Sequence, residues 1–561
     1  MDTPPGPRSR PTARQSVLRC PELLENIFES FSATTGDLAA AAGYEYIGNA
    51  VQENRGDLAA CAQVCRDFCE PALNILWRYL EDFEPLLCLF EEFRMFGEDP
   101  GTGYLFIRDI SPSWPTFQRY AAKVRELQYP SGIGAQTGIW IMLAQQCRGE
   151  PLLPNLRRLD ALGVLHVDIP PLLLLLSPAL RHVRIQFDKE RFEDPTYHKF
   201  WTANLFRSIA AKTAPSLTEL EISGNFPLVS TYFRDLDCCQ RLQILRISPI
   251  RAHVTISVAA ISTLSCLQNL RSLYLPTDFS KSDTDAWFHK EPPFTSLEIL
   301  VLTGSARDIV RFLSEARPPV LRLLRLSIKP EIDPETIYHH LSQIRNYLPS
   351  QLEKLIVGLE APSLDTPVPA FEVCRILCPF LSFANISDVK LSFGNGACRL
   401  TDEDVVQIAR AWPNLVTVHI SPTPGSHEDP PNSDRPTVRA LVELARHCPS
   451  LRSVTLPGLD ISGPRLPSAD SVPVLQTPLS CLKVCSLVGE AESDAKFAIL
   501  LDRLFPNLKD CGSWAVASTS SERVRRIETI VKAMQLAREH GRLRGERPPV
   551  HQPTTQTAQA V

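Results

Sequence analysis

Cys61, Cys65 and Cys69 recur every four residues, and Cys374 and Cys378 repeat the step. On a helix that spacing lines thiols up along one face, as a zinc or redox site requires. The neighbours argue for packing instead, because Leu58, Val64 and Phe68 share the face and a free thiol behaves there as a small apolar group. Cys238 and Cys239 point in different directions, and His339 and His340 read as one buried and one exposed ring. No glycine-rich phosphate loop with a following lysine, no nucleophile elbow and no HExxH zinc motif occurs. The expectation is a chain that is not an enzyme: no catalytic residue, no metal and no cofactor. What remains for it is binding.

The elements that present binding residues are repeats. A Leu-x-x-Leu-x-Leu-like unit appears as Leu156/Leu159, Leu180/Val183/Ile185, Leu217/Leu220/Ile222, Leu242/Leu245/Ile247 and Leu270/Leu273/Leu275. It continues as Leu297/Leu300/Leu302, Leu321/Leu324/Leu326, Leu352/Leu355/Val357, Ile386/Val389/Leu391 and Leu415/Val418/Ile420. Leu451/Val454/Leu456, Leu482/Cys485/Leu487 and a degraded Leu508/Cys511 close the series, at intervals of 24 to 37 residues. Between units, apolar residues three and four apart predict helices over Phe200–Lys212, Asp308–Glu315, Ile337–Tyr347, Phe371–Cys378, Asp402–Ala411, Val438–His447 and Ala495–Leu504. Thr401 is the expected N-cap of one of them, with Asp404 as its capping-box partner.

This alternation resembles leucine-rich repeats. That resemblance implies an α/β solenoid, with a parallel β-sheet on the concave face and helices on the convex face, because no single unit can bury its own leucines. The residue between the last two leucines then points away from the core. Along the array it is Arg184, Glu221, Arg246, Tyr274, Val301, Arg325, Ile356, Lys390, His419, Thr455 and Ser486. Arg184, Arg246, Tyr274, Arg325, Lys390 and His419 are the candidate substrate-binding residues of a mildly cationic floor. Arginine pairs well with carboxylate and phosphate, so the expected ligand is an acidic or phosphorylated segment of a protein partner.

Ahead of the array, Leu23, Leu24, Ile27, Phe28 and Phe31 form the apolar face of a helix opened by Pro21, which suits the first helical position. Leu58, Cys61, Val64, Cys65 and Phe68 predict a second helix, and Pro71, Leu73, Leu76, Trp77 and Leu80 a third. Three short helices cannot bury all of those faces among themselves, which leaves apolar surface for a partner. The opening Leu18–Phe28, the Val64-Cys65-Arg66 core with Phe68, and the Leu76-Trp77-Arg78 close together resemble the F-box. Cys20 stands where that family usually has proline, and residues 33–56 form a longer insertion than usual.

The resemblance implies a three-helix F-box module docked on a Skp1-like adaptor of a cullin-RING ubiquitin ligase. Leu18, Pro21, Leu23, Leu24, Ile27, Phe28, Leu58, Val64, Cys65, Phe68 and Trp77 would divide between adaptor contact and internal core. The whole chain would be the substrate-recognition subunit of such an SCF-type ligase. The alternative is a non-enzymatic repeat scaffold unconnected with ubiquitin. A GTPase activator lacks any arginine in a motif that marks a catalytic finger.

Composition agrees with a chain of this class. The 561 residues are 44% hydrophobic with a net charge of −5, which gives no global electrostatic case for nucleic acid. The longest apolar run, Ile169 to Leu180, is broken by prolines and too short for a membrane span. Sixteen scattered cysteines without a secretory signal read as reduced thiols of a cytoplasmic or nuclear protein. The expected order is a disordered 1–15, the module over 16–80, and linker helices with a cap over 81–150. The repeats follow over 151–515, then a capping helix over 520–540 and a tail over 541–561.

Overall fold

A computed structural model describes residues 20–31, 45–95, 104–106, 109–129, 137–188, 195–250, 254–279, 294–329, 333–360, 370–394, 398–421, 435–473, 475, 477–512 and 519–545. Leu18, residues 1–15 and residues 422–434 lie outside them. The chain divides into two compact units, Met1–Leu270 with Ser280–Asp285, and Arg271–Phe279 with Ala286–Val561. Both are α/β, with parallel strands in chain order and helices between them.

In the first unit six strands form the parallel sheet: β1 (Tyr79–Leu80), β2 (Glu126–Tyr129), β3 (Arg158–Val164), β4 (His182–Phe187), β5 (Glu219–Gly224) and β6 (Ile244–Pro249). Leu159, Ala161, Val183, Ile185, Leu220, Ile222, Leu245 and Ile247 are buried on one side, and the residues alternating with them face out. The period of two explains why only half of each strand is leucine-like. The sheet starts at Tyr79, well before residue 151, because Val124, Leu127 and Tyr129 already follow the repeat spacing.

That start also revises the connecting segment. The linker helices expected over 81–150 are Glu84–Leu87, Trp114–Ala121 and Thr137–Cys147, with β2 following the second of them.

Three helices precede the sheet: α1 (Pro21–Glu29), α2 (Glu45–Val64) and α3 (Arg66–Leu76). Leu24, Phe28, Leu58, Ala72 and Ile75 form their core, with Phe31, Cys61 and Phe68 packed against it. The second helix starts inside the expected insertion and stops at Val64. Cys65 is extended (φ −159°, ψ 169°) and caps α3, so Phe68 belongs to the third helix rather than the second.

In the second unit nine strands form the parallel sheet: β7 (Ser272–Thr277), β8 (Ile299–Gly304), β9 (Leu323–Ile328), β10 (Lys354–Leu359), β11 (Asp388–Ser392), β12 (Thr417–Ser421), β13 (Ser453–Leu456), β14 (Cys481–Val484) and β15 (Asp510–Gly512). The expected helices recur as Ala306–Ala316, Pro334–Ile344, Val373–Leu377, Asp402–Ala411, Val438–His447 and Ser493–Leu504. The capping box forms: Thr401 Oγ1 accepts from the Asp404 N–H at 3.2 Å, and Asp404 accepts from the Thr401 N–H at 2.8 Å. Strands β7 and β8 approach so closely that a Cβ on Gly304 would sit 2.1 Å from the Thr277 carbonyl oxygen.

The last helix, Thr519–Gly545, runs past its predicted end. It packs Val524, Ile527 and Val531 inward, and its Gln535 amide donates to the Pro506 and Leu508 carbonyls. Among the described residues no helix is long and apolar enough to cross a membrane.

Candidate functional site

The three-helix module presents two kinds of apolar residue. Leu24 and Phe28 point into its core, with Leu24 only 2% exposed. Leu23 and Ile27, one position earlier in each turn, face water at 44% and 50%, and Val64 at the end of α2 is 67% exposed. Pro21 and Cys65 are exposed as well, and Leu58 is buried. Phe68 meets Phe28 edge-on at 5.6 Å between ring centroids. Trp77 turns away from the module and packs on Tyr120 at 4.7 Å. The candidate docking residues therefore separate into a core set and a water-facing set that periodicity alone did not distinguish.

The module is tied to the first strands. Arg55 donates to the Tyr79 carbonyl at 3.1 Å, and Lys123 and Arg119 both engage Glu70, whose carboxyl they hold below its ordinary range. The cysteines do not line up on one helix: Cys61 lies on α2, Cys65 in the break and Cys69 on α3. Cys374 donates to the Gln407 side chain at 3.3 Å, and burial pushes its thiol up to about 11. A group that stays protonated at neutral pH is a poor nucleophile and a poor ligand.

On the first unit's sheet, one outward row reads Gln128, Asp160, Arg184, Glu221, Arg246 across β2 to β6. Arg184 pairs with Glu221 at 3.3 Å, Arg246 with both Glu219 and Glu221, and Arg158 with Asp160 at 2.8 Å. The His182 ring and the Arg246 guanidinium hold the Glu219 carboxyl at about 2, against burial that would raise it. Arg158, Arg184 and Arg246 thus face Asp160, Glu219 and Glu221, and the expected cationic floor is neutralised here. Asp160 belongs to a unit read only as Leu156/Leu159, and Glu219 sits one outward row away, so a single-row reading missed both.

The corresponding row of the second unit runs Tyr274, Val301, Arg325, Ile356, Lys390, His419, Thr455, Lys483. Lys483 takes the place expected for Ser486. That repeat unit is framed by Leu479, Leu482 and Val484, all buried, rather than by Leu482, Cys485 and Leu487. Ser486 instead accepts a hydrogen bond from Arg435 at 2.7 Å. Arg325 and Lys390 are exposed and form no ion pair among the described residues, whereas Lys483 reaches Asp510 at 3.8 Å. His419 touches the Ser421 hydroxyl at 2.9 Å, and burial, then Lys390 and Lys483, hold its ring below the ordinary histidine range.

No protein-family model matches this chain, and no curated protein matches its sequence. Among the described residues no cluster of three or more His, Cys, Asp or Glu side chains is arranged to hold a metal ion.

Proposed function

We propose that the chain is a non-catalytic substrate receptor of a cullin-RING ubiquitin ligase. In this reading the helical module is an F-box that docks on a Skp1-like adaptor, and the repeats are a leucine-rich-repeat solenoid whose sheet holds a protein substrate. The observation that carries it is the water-facing set Leu23, Ile27 and Val64 on a module whose core is already filled by Leu24, Phe28, Leu58, Ala72 and Ile75. Covering the exposed parts of three such side chains is worth about 2–4 kcal/mol, enough to matter in a larger interface and too little to be the whole of one. The receptor's contribution to ubiquitin transfer would be proximity, which brings a substrate lysine to the charged conjugating enzyme at high effective concentration.

The test is co-expression with a Skp1-like adaptor and pull-down of wild type, Ile27→Asp and Leu24→Asp. Ile27→Asp places a charge in the docking surface and leaves the core alone, so capture should be lost while the circular dichroism spectrum is kept. Leu24→Asp puts a carboxylate into the core and should unfold the module, which makes it a folding control. Undiminished capture by Ile27→Asp would remove the docking surface from the proposal.

A second reading, a repeat scaffold whose first helices cap the sheet, is favoured by Trp77 on Tyr120 and by β1 following α3 directly onto the sheet edge. A cap accounts for those contacts. It does not account for Leu23, Ile27 and Val64 in water.

A further inference from the structure

The outward side of the second unit's sheet is not only cationic. Ile299 and Val301 on β8, Leu323 on β9 and Ile356 on β10 are half-buried at positions that alternate with the fully buried Leu300, Leu302, Leu324 and Leu355. They are neighbours in register: Ile299 stands opposite Leu323, Val301 opposite Arg325, and Arg325 opposite Ile356. Large aliphatic side chains grouped on the solvent face of a sheet mark an interaction surface rather than a core. Arg325 borders this patch and Lys390 follows Ile356 on the next strand, neither with a carboxylate partner among the described residues. At a strand spacing of about 4.8 Å the backbones of these two residues lie about 10 Å apart with Ile356 between them.

We propose that the face of β8 to β11 binds an unmodified segment of a partner protein in which a large apolar side chain lies between two carboxylates. The apolar residue covers Ile356 and Leu323, and the carboxylates take Arg325 and Lys390. Unpaired cations beside aliphatic side chains favour a segment that brings both chemistries together, since a purely acidic one would leave the patch wet and a purely apolar one would leave both charges without partners. This inference deepens the receptor reading by naming the class of segment held, but the binding itself does not involve the adaptor.

The experiment is fluorescence anisotropy on the full chain with a labelled synthetic peptide of repeating glutamate-leucine-serine triplets. Matched peptides replace leucine by serine, glutamate by glutamine, or serine by phosphoserine. The parent peptide should bind, and either of the first two replacements should weaken it about tenfold or more, the scale of one well-made ion pair or one buried leucine. The variant pair R325E/K390E should lose the parent peptide and gain a lysine-leucine-serine version, which also shows that it is folded. Arg439→Glu, on the exposed side of the helix Val438–His447, should bind the parent as wild type does. Ile27→Asp should bind it too, so failure of adaptor capture and failure of this site remain separate results. No binding of the parent peptide, equal binding of its serine-for-leucine version, binding of the phosphoserine peptide alone, or undiminished binding by R325E/K390E would each overturn the proposal.

Discussion

The two units present the same outward row of residues in opposite electrostatic states. On the first unit's sheet Arg184 and Arg246 are paired with Glu219 and Glu221. On the second, Arg325 and Lys390 carry their charge into solvent beside Ile299, Val301, Leu323 and Ile356. The row itself differs, since Asp160 and Glu221 stand among the cations of the first unit and the second unit's row from Tyr274 to Lys483 holds no carboxylate. The flanking row differs too, where β5 supplies Glu219 and β8 to β10 supply Ile299, Leu323 and Lys354. A cation is available to a partner only when its cross-strand neighbours leave it so.

Charge reversal is the strongest way to break that contrast. Arg246→Glu sets a third carboxylate beside Glu219 and Glu221 in a partly buried cluster, and should cost about 2 kcal/mol of stability by urea unfolding, between the values for exposed and buried pairs. Arg325→Glu, with no partner to lose, should change stability by less than about 0.5 kcal/mol. Equal costs at the two positions would mean that the ion pairs of the first unit do not hold its strands, and the contrast would fail.

Acid titration sharpens the same point with a smaller effect. Glu219 is held at about 2 in the folded chain, below its unfolded value near 4.5. A depressed carboxylate contributes stability above the unfolded pKa and loses it as pH falls through the interval from about 4.5 to 2. With the side chain about a quarter exposed, solvent screening brings the contribution to about 1–2 kcal/mol. Glu219→Gln should therefore flatten the acid limb of the stability curve and leave little difference from wild type at pH 2. An unchanged acid limb would assign that loss of stability to other carboxylates.

Much of this arrangement was legible in the amino-acid sequence, and the parts that were not share a cause. The strands and most helices follow from leucine spacing, because those leucines have no burial except against one another. The Thr401–Asp404 cap was legible because it is local. Lys483 was not, since Leu482, Cys485 and Leu487 fit the spacing nearly as well as Leu479, Leu482 and Val484, and only pairing with β13 decides between them. The division of the module into core Leu24 and exposed Leu23 depends on which side of α1 the third helix occupies. Neutralisation of Arg246 by Glu219 is a contact between residues 27 positions apart on neighbouring strands, and no single-strand pattern carries it.

The smallest effect reports on the second unit's charge directly. Burial is the largest cause of His419's low pKa, with Lys390 and Lys483 adding to it. Its folded pKa lies below its unfolded one, so stability is complete above the unfolded value near 6.5 and declines as pH falls through the folded pKa. His419→Gln should remove that decline. In an NMR titration of the His419 ring, Lys390→Met should raise the midpoint part of the way toward 6.5, because the charge is gone and the burial is not. Recovery of the full difference would make charge the dominant cause, and no movement would mean that Lys390 points its ammonium away from the row and is not positioned to meet a partner's carboxylate beside Ile356.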